Sequence, residues 1–278
     1  MQKIDAHQHF WKFDPVRDEW ITEEMNVLRQ DFLPGKLLPL LTQHGFDGCV
    51  AVQADQSEEE TDFLLSLASE FSFIKGVVGW IDLRNNGLES KLEGYRNRQK
   101  LKGFRHILQG ETRRDAMLDP GFKKGISLLE TFGFTYDILI YPDQLPFICK
   151  FVSSFPQQKF VIDHLAKPAH DPALAQQWKT GMKELGKLEN VYCKISGLVT
   201  EGAAGKKNLD DVRPYIDTVV NSFGTGRIMF GSDWPVCLLQ ASYTEVIQLV
   251  QDYFSSFSHA EQESFFGGNA IEFYNLFP

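Results

Sequence analysis

The run Asp5-Ala6-His7-Gln8-His9 is the sharpest chemical feature of this chain. It closes a short apolar segment, Lys3–His7, that reads as an extended strand. Alternate residues of an extended chain point the same way, so His7 and His9 can bring two imidazoles to one point. Neutral imidazole is a common ligand for zinc and other divalent ions. Alone, the pair is weak, since unrelated chains carry it by chance. A second feature is Asp163-His164, closing the apolar run Phe160–His164; a lone histidine there can equally be a hydrogen-bonded core residue. The third is Asp233, delivered after Ile228-Met229-Phe230-Gly231-Ser232 and followed by Trp234-Pro235. The glycine allows close backbone approach. A helix cap is the plain alternative for Asp233, but a bulky ring and a rigid turn beside it fit a site wall better. Brought together, these imidazoles and the carboxylate could hold one divalent ion with positions open for water. They could also act without metal, Asp233 as base and the histidines as donors to a carbonyl oxygen.

Such a meeting needs a scaffold that gathers distant strand ends. Short apolar runs at Lys3–His7, Asp47–Gln53, Gly76–Asp82, Gly103–Leu108, Phe134–Ile140, Phe160–His164, Val191–Ser196 and Arg227–Gly231 read as eight buried parallel strands. Between them lie helical stretches. Leu33–His44 has Pro34 near its start and Gly45 past its end. Ser57-Glu58-Glu59-Glu60 opens the next with a capping box and acidic residues suited to the helix dipole. Further helices are expected at 88–98, 121–132, 143–154, 173–187, 208–223 and 243–256. Eight β-then-α units predict the α/β class, a single (β/α)8 TIM barrel over residues 1–278. An open doubly wound sheet would show a glycine-rich turn after strand 1, where this chain has His-Gln-His-Phe-Trp. Strands 1, 6 and 8 would carry the four groups to the catalytic rim. Residues 10–32 and 197–209 form long loops on that side, candidate lids or substrate walls.

The chain has 278 residues, 43% hydrophobic and 23% charged, enough for a sizeable core. Its 37 acidic residues against 28 basic give a net charge of −9, which offers no general attraction to nucleic acid or anionic lipid. No basic leader with an apolar core opens the chain, and no run is long enough to span a membrane. Cys49, Cys149, Cys193 and Cys237 are widely spaced and read as buried free thiols of a cytoplasmic protein.

The segments Asp5-Ala6-His7-Gln8-His9-Phe10-Trp11, Leu28-Arg29-Gln30-Asp31-Phe32, Val52-Gln53-Ala54, Gly103-Phe104-Arg105-His106-Ile107-Leu108-Gln109, Asp163-His164, Lys194-Ile195-Ser196-Gly197-Leu198 and Gly231-Ser232-Asp233-Trp234-Pro235 run in order over residues 5–235. Together they resemble the amidohydrolase superfamily. The resemblance is closest to its branch of TIM-barrel lactone hydrolases, which includes L-fuconolactonase, L-rhamnonolactonase and 2-pyrone-4,6-dicarboxylate lactonase. It implies a metal set of His7, His9, His164 and Asp233, with Asp233 and His164 as catalytic groups. Two-metal members carry a bridging Lys or Glu on strand 4; this chain has Arg105 and His106 there, and strand 5 offers no histidine. At most one divalent ion is therefore expected, zinc first, and the pyrone-dicarboxylate branch implies that even it can be dispensable.

Several polar and aromatic residues are expected to line the pocket: Arg105, His106, Lys194, Gln53, Trp11 and Trp234. Arg105 in an apolar strand needs an anionic partner, either a substrate oxygen or an internal carboxylate. His106 points opposite to Arg105 along the strand, so both need not face the lumen. Lys194 could orient a substrate oxygen or pair with Asp163. Trp80 is read as core, and His44, His259 and His170 as outside the site. The functional expectation is hydrolysis of a sugar-acid lactone, L-fucono- or L-rhamnono-lactone-like, by water activated at Asp233. The alternatives are a metal-dependent decarboxylase of a small carboxylic acid, and a catalytically silent barrel that binds a small acid. A small-molecule partner is expected, with no nucleic acid and no membrane. A homo-oligomer is left open.

Overall fold

A computed structural model describes residues 2–169, 171–200 and 208–277. His170 and much of the expected 197–209 loop lie outside the described residues. Eight parallel strands follow one another in chain order: β1 (Ile4–Gln8), β2 (Gly48–Val52), β3 (Ile74–Gly79), β4 (Leu101–His106), β5 (Thr135–Ile138), β6 (Phe160–Ile162), β7 (Val191–Ile195) and β8 (Ile228–Phe230). The sheet turns back on itself just past β8. Asp233 N–H donates to the His7 carbonyl at 2.9 Å, and His9 N–H donates to the Trp234 carbonyl at 2.7 Å. This is the expected (β/α)8 barrel. Helices α1 (Pro34–Gln43), α2 (Glu58–Glu70), α3 (Leu88–Tyr95), α4 (Pro120–Phe132), α5 (Leu145–Val152), α6 (Pro172–Gly186), α7 (Leu209–Phe223) and α8 (Tyr243–Phe254) surround it. Two short helices follow, α9 (His259–Glu263) and α10 (Asn269–Tyr274).

Two apolar clusters hold these layers. The larger fills the space between sheet and helices. The smaller occupies the lower lumen, where Ile4, Ala6, Val50, Val52, Val78, Val161 and Met229 pack against Phe273, Tyr274 and Leu276 of the C-terminal segment. The end of the chain thus stoppers the barrel at the N-terminal ends of its strands, leaving chemistry to the other end. No described helix is long and apolar enough to cross a membrane.

Some expectations shift. The third and fourth strands start two residues earlier than expected: β3 and β4 begin at Ile74 and Leu101, which pair with Cys49 and Val77, and the register shifts just after each. β6 ends at Ile162, two residues before His164. At α2 half of the capping box forms: Ser57 Oγ accepts from Glu60 N–H at 3.1 Å, while the Glu60 carboxylate turns to Ala54 N–H instead. All four cysteines are free, and Cys149 is half-buried where burial was expected. Trp80 is also half-buried, with its indole N–H donating to His106 Nδ1 at 3.3 Å, so it is a rim residue and not core.

Candidate active site

The β1 strand carries an irregularity between Asp5 and Gln8. A bulge of this kind changes which way the following side chains point. Asp5 faces outward, accepting from Ser232 N–H and from the Tyr243 hydroxyl of α8. Burial pushes its carboxyl up to about 6. His7 turns into the lumen and meets residues from β4, β6 and β7. Gly231 makes room for it: a Cβ there would lie 2.5 Å from His7 Cβ.

Four side chains converge at the rim. His7 Nε2 and His9 Nε2 are 3.2 Å apart. Asp233 Oδ1 lies 3.4 Å from His9 Nε2 and 3.9 Å from both His7 Nε2 and His164 Nε2. Among the described residues, His7, His164 and Asp233 offer ligand atoms that all lie within 4.8 Å of one another, a spacing that could hold one divalent ion. Proton placement suits it too. His9 Nδ1 lies 2.8 Å from the Val52 carbonyl, which can only accept. His9 therefore carries its proton on Nδ1 and offers a lone pair at Nε2. His164 Nδ1 is likewise engaged, 2.9 Å from Ser196 Oγ, leaving Nε2 toward Asp233.

The chain reaches these positions through unusual backbone. His164, Leu165, Ala166 and Lys167 all have φ near +50°. For L-residues this left-handed region costs roughly 1–2 kcal/mol each. Lys167 N–H closes the turn on the His164 carbonyl at 2.7 Å. Asp233 also sits at φ 58°. Gly197, at φ 63°, lies against the His164 ring, where a Cβ would come within 2.8 Å of Nδ1. Strain of this kind persists where surrounding structure over-determines it, and it collects at functional sites.

Below the rim is a buried ionic layer. Lys194 Nζ donates to Asp137 Oδ2 at 2.5 Å and lies 3.1 Å from Asp163 Oδ1 and 3.0 Å from His7 Nδ1. Arg105 Nη1 donates to Asp163 Oδ2 at 3.0 Å, and Nη2 donates to the Gln53 carbonyl. Gln53 returns a bond from Nε2 to the Arg105 carbonyl at 3.1 Å. Burial raises Asp137 to about 6 against the pull of Lys194. For Asp163, burial is outweighed by Lys194, His7 and Arg105, which hold it well below the usual carboxylate range. Burial likewise opposes ionisation of Asp233, but the neighbouring His164 imidazole leads the influences that hold its carboxyl well below the usual range. Burial depresses His7, against the opposing pull of the Asp163 carboxylate.

The other expected residues divide. Arg105 finds the internal carboxylate that was one of its two options, and so does Lys194. Among the described residues, Arg105 Nε and Gln53 Oε1 remain buried without a hydrogen-bond partner. His106 follows the strand alternation outward: its Nε2 lies 2.8 Å from Glu111 and its ring packs on Phe122 of α4, away from the His7–Asp233 group. Trp11 and Trp234 are buried with Phe32 between them, and Trp11 N–H is spent on the Gln30 carbonyl at 3.0 Å. They form the packed base of the 10–32 loop, where an open ring face was expected. His44 bonds Thr244 and His259 pairs with Glu263, both outside the site. Glu111 escaped the sequence reading, and Asp137 and Ser196 were given no role in it, although a carboxylate inside the buried strand Thr135–Ile138 was a usable signal for Asp137. The wide cleft of about 620 Å³ near Lys3, Ser255 and Phe266 lies at the stoppered end of the barrel and has no part in this cluster.

Comparison with known proteins agrees with the geometry. The family described as amidohydrolase matches residues 4–276. The chain is 40% identical to an L-fucono-1,5-lactonase of Burkholderia multivorans, covering 99% of this chain and 96% of the relative. It is 34% identical to an L-fucono-1,5-lactonase of Burkholderia ambifaria, with the same coverage. A crystal structure of an amidohydrolase from Burkholderia multivorans with bound zinc superposes with a TM-score of 0.94 at 39% identity, covering 99% of each chain.

Proposed function

The chain belongs to the amidohydrolase family, and from that premise we propose that it is a lactonase opening a small sugar-acid lactone, L-fucono-1,5-lactone first. The observation that carries this reading is the convergence of His7, His9, His164 and Asp233 on one point of the rim. The two similar relatives named L-fucono-1,5-lactonase support the substrate. The ionic layer supports it as well. Arg105 and Lys194 are already matched by Asp163 and Asp137, so the lumen has little charge to spare for a dicarboxylate. A decarboxylase, which must seat a carboxylate, fits this balance less well.

In the proposed reaction a water beside Asp233 loses its proton to that carboxylate as it attacks the lactone carbonyl. Asp233 is ionised throughout the physiological range, so the acceptor is always present. A carboxylate held so low is a weak base, and the water must be made more acidic. His7, His9, His164 and Asp233 would hold a divalent ion, zinc in the first instance, which supplies Lewis acidity at this point when bound. The Arg105 guanidinium, with Nη1 3.4 Å from His7 Nε2 and Nε without a hydrogen-bond partner among the described residues, would donate to the carbonyl oxygen as negative charge develops. Gln53 Oε1 can accept from a substrate hydroxyl. Asp233 then returns its proton to the leaving alkoxide. Residues 1–278 work as one barrel unit in this reading, and the four free thiols fit a reducing compartment such as the cytoplasm.

The test is kcat/KM across aldonolactones, pyrone dicarboxylate, simple esters and amides. A deoxy-sugar lactone should rank first. Preference for the pyrone diacid or an amide over every sugar lactone would overturn the substrate assignment.

A further inference from the structure

The left-handed turn that carries His164 is gripped from outside the barrel. Trp178, on α6, is fully buried, and its indole N–H donates to the Leu165 carbonyl at 2.6 Å. Its ring is braced edge-on by Tyr215 of α7 at 5.7 Å. Leu165 is the second residue of the turn, directly after His164, and the turn's own hydrogen bond runs from Lys167 N–H to the His164 carbonyl. L-residues visit the left-handed region as single residues, not as runs of four. Such a run holds its shape only while its neighbours fix it. A single strong donor at the middle of the run, anchored on a rigid helix, is suited to that task.

We infer that Trp178 is a positioning residue: through the Leu165 carbonyl it maintains the left-handed turn that aims His164 Nε2 at Asp233. The inference rests on the reading of His164 as part of the working site. It assigns to the outer layer of the barrel a share in setting the geometry of the rim. Trp178 reaches the turn at the Leu165 carbonyl, one residue past His164, and so acts on the site through the backbone that carries His164.

Two variants of the full-length enzyme test it. Trp178→Phe keeps an aromatic ring and removes the donor. It should speed hydrogen exchange at the Lys167 amide and lower kcat at least ~10-fold while KM stays within about 2-fold, since small misplacement of a working group costs chemistry before binding. Ala166→Gly removes the left-handed penalty at the centre of the turn. It should melt no lower than the wild type, despite losing a buried methyl, and still lower kcat because His164 is less firmly held. Unchanged Lys167 exchange in Trp178→Phe would overturn the inference. So would variants that melt lower yet keep the wild-type kcat, the mark of a purely structural role. A wild type that opens no lactone would defeat the proposed function alone, and the exchange and melting arms would still decide whether the clamp exists.

Discussion

Arg105 and Lys194 sit inside the barrel against Asp163 and Asp137, and the cost of a charge in that position governs what each can do. Arg105 is 4% exposed and Asp163 is fully buried. Removing one partner of a buried pair leaves the other uncompensated, typically at about 3–5 kcal/mol. Arg105→Met should therefore lower the denaturant midpoint as well as the activity, with Asp163 left to Lys194 and His7. An unchanged midpoint would mean that Asp163 does not depend on Arg105, leaving the arginine to the substrate alone. The need for a partner was legible in the sequence, because a guanidinium in an apolar strand must be matched. The partner was not, since Asp163 stands 58 residues away and no local pattern links the two. His106 was legible in a different sense: strand alternation alone sends it away from Arg105, and its ring is found on Glu111, Trp80 and Phe122.

At the scale of elements, α2 carries a charge conflict at its start. Glu60 is 5% exposed and accepts from the Ala54 N–H, and burial pushes its carboxyl from 4.5 up to about 7. Between those values the folded chain holds a proton that the unfolded chain has released. Stability from this group therefore falls as pH rises from about 4.5 to about 7, and the loss is complete above that. Glu60→Gln keeps the acceptor and removes the titration. It should stabilise by about 3 kcal/mol at pH 8 and by little at pH 4, measured as unfolding free energy at each pH. A gain independent of pH would show that Glu60 is not the titrating group. The existence and order of the eight strands followed from their apolar runs, which have the length and β-branched content of buried strands. The two departures that matter chemically did not. The irregularity in β1 and the left-handed turn after Ile162 are imposed by packing from Gly231, Ser196 and Trp178, all distant in sequence.

The molecule as a whole divides its lumen into three levels. An apolar floor is closed by Phe273, Tyr274 and Leu276. An ionic layer of Asp137, Asp163, Arg105 and Lys194 lies above it, tied to the floor by the Tyr274 hydroxyl on Asp137 at 2.8 Å. The rim set of His7, His9, His164 and Asp233 stands on that layer. Each level orients the next: the floor excludes water, the charges fix the His7 ring, and His7 meets the other ligand-like atoms. The central claim is that Asp233 carries the proton in lactone hydrolysis, and the most direct measurement is kcat of Asp233→Asn on L-fucono-1,5-lactone beside its melting curve. A fall of at least ~10²-fold with the fold intact is the expected result; turnover near the wild-type rate by a folded Asp233→Asn enzyme would contradict it.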